Sequence, residues 1–413
     1  MSAEPLLSIR DLRTVFHTDD GLVRAVDGVS FDVGRGETVC IVGESGSGKT
    51  VTGESITRLL RIPPGEVAGG EIVFDGRDLT TLDDETLRSL RGDRIAHVFQ
   101  NPQGALNPVY TVGWQIVEAI QLHDDVTREA ARDRAIDLLD RVGIPEATRR
   151  FDDYPHEFSG GMKQRVAIAM ALATNPDLLI ADEPTTALDV TIQNQILSLL
   201  DDLQTEFDMS VLLITHDLGV VAEVADRVVV MYAGKVMERG GVFDVFERPS
   251  HPYTRALLDC LPGRGDGAAS IGGRLPSPID PPAGCRFHPR CEYAVDACRE
   301  GDARRVARWH SKRSVTDDRR NVDAVPDLNL DRRPHRGTRG AGGRPSVRRR
   351  VPRRGDGRRR DPVVRRVELD ARRDPRRPSP VLRPVLRAVG TDRRRHRDPT
   401  ARNTRGVRSA AGE

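Results

Sequence analysis

The hydrophobic pattern changes period along the chain, and each change predicts an element. From Leu6 to Val33, short alternating runs such as Leu7-Ser-Ile9 and Ala25-Val-Asp-Gly-Val-Ser-Phe31 predict antiparallel strands, parted by the polar turn His17 to Gly21. Glu37 to Val42 (Glu-Thr-Val-Cys-Ile-Val) predicts a buried strand, and a helix follows from about Lys49 to Leu60. Beyond the break at Pro63-Pro64-Gly65, Gly70 to Phe74 predicts a strand, Asp83 to Ser89 a short helix, and Arg94 to Phe99 a strand returning to the core. Between Asn101 and about Glu157 the spacing turns helical, most clearly in the amphipathic stretch Thr127 to Val142, so a helical insertion is expected. Leu178 to Ala181 and Ser210 to Ile214 are continuous apolar runs bounded by polar residues, as strands buried on both faces of a parallel sheet are. The helical pattern Val190 to Phe207 joins them in a right-handed crossover. The fold class expected is α/β, and no internal repeat is present.

Chemistry enters where the strand Glu37 to Val42 ends. Residues 43 to 50 read Gly43-Glu44-Ser45-Gly46-Ser47-Gly48-Lys49-Thr50, a complete phosphate-binding P-loop. Its glycines let successive backbone N–H groups face phosphate oxygens, and the following helix adds the positive end of its dipole. Lys49 is placed to reach the β and γ phosphates, and Thr50 to offer a hydroxyl to Mg²⁺. The run Leu178-Leu-Ile-Ala-Asp182-Glu183 ends a strand with two acids. In a P-loop protein that is where a second metal contact, Asp182, and a water-orienting carboxylate, Glu183, belong. Two acids in that place also suit the cap of a following helix, and it is the P-loop upstream that favours the catalytic reading.

Composition divides the chain. Residues 1–300 hold 29 Lys and Arg against 48 Asp and Glu, whereas residues 301–413 hold 35 against 14, so the net charge of +2 averages two different polypeptides. The acidic part is expected to fold and not to be drawn to nucleic acid by charge. The second part, rich in Arg, Pro, Gly and Asp, has too few apolar residues for a core and is expected to be disordered. No stretch approaches the roughly 18 to 20 apolar residues of a membrane span, and Met-Ser-Ala-Glu-Pro is unlike a secretory signal, which points to the cytosol.

With the P-loop and the paired acids in place, the chain resembles the ATP-binding cassette (ABC) family over roughly residues 5 to 240. Phe158-Ser159-Gly160-Gly161-Met162 resembles its signature loop, with Phe for the usual first Leu and Met for the usual final Gln. Gln100 resembles the loop glutamine that contacts Mg²⁺ and the attacking water, Ala187-Leu188-Asp189 the loop that touches the partner's P-loop, and His216 the switch histidine that contacts the γ phosphate. Phe16 stands where the family places an aromatic ring against adenine. The resemblance implies a mostly parallel core sheet with an N-terminal antiparallel β subdomain and a helical signature subdomain, about residues 101–165. It also implies two cassettes that sandwich two ATP molecules, with Ser159, Gly160 and Gly161 closing over the nucleotide held by the other subunit's P-loop. Thr50, Gln100 and Asp182 would then serve Mg²⁺, Glu183 and His216 catalysis, and Asp189 the dimer contact.

After residue 240 the run Arg248-Pro-Ser-His251-Pro-Tyr-Thr254-Arg-Ala-Leu257 and the later Gly284-Cys285-Arg-Phe-His-Pro-Arg-Cys291 with Cys298 resemble the C-terminal extension of oligopeptide and dipeptide importers, a branch that includes nickel importers. The Asn101-Pro-Gln-Gly-Ala-Leu-Asn107-Pro108 run fits the same branch. The implied role is to power uptake of peptides, or of nickel or another small solute, at the cytoplasmic face of the cell membrane. The implied partners are two permeases, a second ATPase subunit, identical or distinct, and indirectly a solute-binding protein. A non-transport cassette is the alternative class.

In this branch four cysteines of the extension can hold an iron–sulfur cluster. Here no Cys follows Cys298, so Cys285, Cys291 and Cys298 are left with three readings: an incomplete [4Fe-4S] site, a zinc site with His288, or an inert remnant. The missing cysteine coincides with the switch to Arg-rich sequence near residue 301, and a frameshift in GC-rich DNA would account for both; a genuine tail is the other reading. The organisation expected is residues 1–240 ATPase, 241–300 extension and 301–413 tail.

Overall fold

The computed structural model describes residues 4–186, 188–261 and 271–300. The tail at 301–413, with the question of its origin, and Ala187 lie outside the described residues. Ten strands are present among them: β1 (Leu7–Thr18), β2 (Gly21–Val33), β3 (Thr38–Val42), β4 (Gly65–Phe74), β5 (Arg77–Asp78), β6 (Ile95–Val98), β7 (Leu178–Asp182), β8 (Ser210–Thr215), β9 (Arg227–Tyr232) and β10 (Lys235–Gly241). They form an antiparallel sheet in the order β2-β1-β4-β5 and a six-stranded sheet in the order β10-β9-β3-β8-β7-β6. In the larger sheet β9, β3, β8, β7 and β6 run parallel, and β10 returns antiparallel to β9.

Every residue of β3, β7 and β8 is buried, because the sheet is covered on both faces. Alternation along each strand sorts the side chains into two cores. Val39, Ile41, Ile180, Leu212 and Ile214 pack with Leu7, Phe31 and Phe74 of the antiparallel sheet. Cys40, Val42, Leu179, Ala181 and Leu213 instead join a core that includes Ile116, Leu139, Ile168, Leu197 and Val221 from helices. The P-loop strand is thus gripped between the antiparallel sheet on one face and helices on the other.

The insertion between β6 and β7 carries the helices Val112–His123, Arg128–Arg141 and Gly160–Ala171. Each opens on a hydroxyl cap, from Thr111, Thr127 and Ser159 respectively, that accepts one of the free N–H groups of the first turn. The helix Val190–Phe207 links β7 to its parallel neighbour β8 over the boundaries expected.

Two boundaries differ most from the sequence reading. The P-loop helix ends at Ile56 rather than Leu60, because Thr57 leaves helical geometry and Arg58 takes a φ of 51° while its guanidinium bonds the carbonyls of Leu79 and Leu82. Strand β4 starts at Gly65 rather than Gly70: Gly65 to Gly69 pair with Phe16 to Arg13 of β1, so a neighbouring backbone rather than an apolar pattern makes this stretch extended.

The helix Pro252–Asp259 and the irregular segment 271–300 lie on the cassette side near β2 and the P-loop. The buried Arg286 bonds Asp27 and the Ala233 carbonyl, and Arg24 bonds the carbonyls of Pro278 and Ile279.

Candidate nucleotide site

The loop Gly43 to Gly48 turns between β3 and the helix Lys49–Ile56 in a path that only glycine permits at two of its corners. At Gly43 a methyl group would come within 2.0 Å of the Met231 carbonyl, and at Gly48, with φ +97°, within 2.3 Å of the Ala25 carbonyl. The Gly234 N–H donates to Ser47 O at 2.8 Å and ties the loop to the β9–β10 turn. Inside it Lys49, nearly buried, donates from Nζ to Gly43 O at 2.9 Å and Glu44 O at 3.1 Å. Burial pushes its ammonium pKa below the ordinary lysine range, against the pull of Glu183, Asp182 and Glu44.

The two acids at the end of β7 have opposite surroundings. Burial, aided by the charge of Glu183, raises the Asp182 pKa, although the Thr50 side chain hydrogen-bonds its carboxylate and Lys49 is near. Its Oδ1 and the Oγ of Ser47 are buried without a hydrogen-bond partner. Such atoms cost stability until something binds them. A disfavoured carboxylate beside a hydroxyl and a phosphate loop fits a hard divalent cation and a triphosphate.

Glu183 has a φ of 45°, and its N–H donates to Ile214 O at 2.8 Å, which places its side chain at the end of the sheet. Oε2 accepts from Gln100 Nε2 at 2.9 Å and from Thr186 Oγ1 at 2.8 Å, and Oε1 lies 3.0 Å from His216 Nδ1. Burial works against its charge, but the bonds from His216 and Thr186 outweigh it and hold the carboxyl pKa below the usual glutamate range. Gln100, Glu183 and His216 line one cavity with Gly43, Glu44 and Ser45. Six expected site residues from four separate stretches thus meet.

Phe16 is partly buried on β1, opposite Val23 and Gly65, and its strand is tied to the P-loop helix through Thr14, whose hydroxyl is 2.8 Å from that of Ser55. It does not line the cavity. Neither do Ser159, Gly160 and Gly161, which lie at the exposed start of their helix, where Ser159 Oγ accepts from Met162 N at 3.3 Å. Leu188 lies over Gly160, and Ile192 is so close over Gly161 that a methyl group there would approach its Cγ2 to 2.7 Å. Asp189 caps the helix Val190–Phe207 by accepting from Ile192 N at 3.0 Å. The start of the Gly160–Ala171 helix therefore packs against the loop and helix start at Leu188 to Ile192, and none of these residues lines the cavity.

The cysteine cluster fares differently. Cys285 and Cys298 are joined through their backbones, Cys285 N donating to Cys298 O at 2.8 Å, and Cys285 Sγ is 3.6 Å from His251 Nε2. Burial pushes the Cys285 thiol up and the Cys291 thiol to about 11, with the neighbouring cysteines adding to both, so the thiol rather than the ligating thiolate is favoured. Among the described residues no group of three or more His, Cys, Asp and Glu side chains is placed to hold a metal ion. The iron–sulfur and zinc readings therefore lack support: the segment folds around buried thiols packed with Phe287 and Tyr253.

Some contributors were not evident in the sequence. Thr186 is a hydroxyl three residues after Glu183, which is a local signal. Leu257 lines the cavity, Tyr253 OH accepts the Glu44 N–H at 3.0 Å, and Arg290 pairs with the Glu44 carboxylate at 3.0 Å. These three come from the extension, more than two hundred residues from the loop, and nothing local announces them.

Known proteins share both halves. Residues 26–186 match the family model "ABC transporter", and residues 237–298 match "Oligopeptide/dipeptide transporter, C-terminal region". The chain is 52% identical over 302 residues to the probable peptide ABC transporter ATP-binding protein y4tR of Sinorhizobium fredii, covering 72% of this chain and 90% of that one. It is 51% identical over 294 residues to the oligopeptide transport ATP-binding protein OppD of Bacillus subtilis, covering 70% and 82%. The fold superposes with a TM-score of 0.52 and 30% identity on the dimeric structure of a post-hydrolysis state of the ATP-binding cassette MJ0796 bound to ADP and Pi, covering 57% of this chain and 98% of that one. The chain belongs to the ABC transporter family, as an ATP-hydrolysing subunit that bears the C-terminal region of the oligopeptide/dipeptide branch.

Proposed function

We propose that this chain is the ATPase subunit that powers uptake of di- or oligopeptides across the cytoplasmic membrane, working from its cytoplasmic face with two permease subunits and a second ATPase subunit. The observation that carries the catalytic part is the convergence of Gln100, Thr186 and His216 on the Glu183 carboxylate beside the P-loop. Peptides are favoured over nickel chelates because the relatives described above are named for peptide transport. No helix among the described residues is long and apolar enough to cross a membrane, which agrees with a subunit that relies on separate permeases.

In this reading residues 1–240 are the ATPase and 241–300 the extension, and the backbone N–H groups of Gly43 to Gly48 bind the phosphates. Lys49 exchanges its two carbonyl partners for β and γ phosphate oxygens, a gain because charged acceptors hold an ammonium more strongly. Thr50 and Asp182, with Gln100, would hold Mg²⁺, which supplies charge neutralisation at the phosphate oxygens. Glu183 stays ionised and orients the attacking water while accepting its proton, and Gln100 and His216 fix the carboxylate. Phe16 stacks against adenine. Ser159, Gly160 and Gly161 complete the site of the other subunit, and Asp189 contacts that subunit's P-loop, so each site is shared. The partner is a second, distinct cassette or an identical copy, and a solute-binding protein acts outside the membrane.

The test is reconstitution of the chain with its permeases and solute-binding protein in vesicles. Peptide uptake that requires ATP and stops with Lys49→Ala supports the proposal. Uptake of nickel without peptide uptake would reassign the substrate, and ATP hydrolysis indifferent to any transported solute would end the transport reading.

A further inference from the structure

Glu44 is an unexpected residue in a loop that receives a polyanion. Glu44 lines the same cavity as Glu183 and His216, where an uncompensated negative charge nearby would repel a triphosphate. The fold engages each of its polar groups. The carbonyl accepts from Lys49 at 3.1 Å, the N–H donates to Tyr253 OH at 3.0 Å, and the carboxylate accepts from Arg290 Nη1 at 3.1 and 3.0 Å. Two of these three engagements come from the C-terminal extension.

Arg290 is held firmly enough to serve as a fixed counter-charge. Its side chain is only 6% exposed, Nε donates to Gly272 O at 2.7 Å, Nη2 to Ile271 O at 2.9 Å, and Nη1 also to Tyr232 OH at 3.1 Å. The guanidinium lies 5.6 Å from the centre of the Tyr232 ring, which packs against Tyr253 at 4.7 Å and Phe287 at 5.3 Å. Tyr232 ends β9, beside the P-loop strand, so the extension is fastened to the sheet that carries the loop. Leu275 lies beside the loop, its Cδ2 3.4 Å from where a methyl group on Gly46 would sit.

We infer that Arg290 and Tyr253 are positioning residues for nucleotide binding: Arg290 neutralises Glu44 and Tyr253 fixes its backbone, so that the extension sets the charge and shape of the P-loop. This rests on the reading that ATP occupies Gly43 to Thr50. Removing Arg290 leaves the Glu44 charge beside the phosphates, whereas removing both charges leaves none to compensate.

The experiment is titration of the purified full chain with Mg-ATP, in parallel with thermal melting. Arg290→Ala is expected to weaken ATP binding by about tenfold or more, and Glu44→Gln alone to change it by less than about threefold. The double variant should bind within about threefold of Glu44→Gln. A purely structural role for Arg290 would leave the double variant as weak as Arg290→Ala, and that result overturns the inference, as does normal binding by Arg290→Ala. If Arg290→Ala does not fold, Arg290→Gln, which keeps a donor and loses the charge, is read in the same way. Lys49→Ala separates the two claims: ATP binding unchanged in that variant refutes the nucleotide site itself, while its loss alongside normal binding by Arg290→Ala refutes only the inference.

Discussion

His216 Nδ1 faces Glu183 Oε1 at 3.0 Å, so the histidine that follows β8 is bonded to the acid that follows β7. An ionised carboxylate only accepts hydrogen bonds, which requires Nδ1 to carry the proton and leaves Nε2 as the acceptor edge when the ring is neutral. The side chain of His216 is 59% exposed and that of Glu183 is 14% exposed, so the pair spans from the protein interior to the open cavity.

Replacing Glu183 by Gln preserves shape and removes the charge proposed to orient water. ATP hydrolysis should fall by about a hundred- to ten-thousandfold while ATP still binds. An ATP-bound dimer should then accumulate and be seen by gel filtration with light scattering, and normal turnover in this variant would refute the role assigned to Glu183.

Thr186→Val removes one of the bonds that depress the Glu183 pKa. A carboxylate with a depressed pKa stays ionised to lower pH, so losing the bond moves its protonation upward. The acid limb of the kcat–pH profile should shift to higher pH with the plateau largely kept, and an unmoved limb would show that Glu183 ionisation does not set it.

Gly161→Ala places a methyl group 2.7 Å from Ile192 Cγ2 and forces the signature helix away from the Val190–Phe207 helix. Overpacking of this kind costs about 1 to 3 kcal/mol. The monomer should bind ATP normally, whereas ATP-driven dimerisation should weaken by about tenfold in sedimentation experiments.

His97 tests the fold rather than the chemistry. Burial, with Arg91 nearby, pushes its pKa from 6.5 down to about 4, and Thr57 bonds its Nε2 at 2.9 Å. Since the unfolded chain takes up the proton first, stability contributed by neutral His97 is fully present above about pH 6.5 and is lost as pH falls toward 4. The loss is at most about 3 kcal/mol. Denaturant titrations across this range should show that slope, and His97→Gln should flatten it.

Much of the cassette was legible because its signals are local. The glycines of Gly43 to Gly48, the acids after Leu178 to Ala181 and the helical spacing of Val190 to Phe207 each act within a few residues. Strands β9 and β10 lie outside the elements expected above, although Arg227 to Tyr232 is an apolar run closed by a turn at Gly234, which is a local signal for them. The bonds of Tyr253 and Arg290 to Glu44 are not legible in the sequence, since they depend on how the distant helix Pro252–Asp259 and the segment 271–300 dock. The cysteine spacing left three readings open, because spacing does not report whether thiols are buried as thiols or free to ionise.

The position of β3 between β8 and β9 also has a consequence for synthesis. The loop is translated by residue 50, yet both strands that flank its supporting strand lie beyond residue 209. A nascent chain released before then would carry the whole phosphate-binding sequence with an unpaired strand beneath it, unable to hold the loop's shape and open to pairing with other chains. During translation the ability to hold ATP is therefore gained late, after Tyr232 has emerged from the ribosome, which makes nucleotide binding a report that the cassette has been completed.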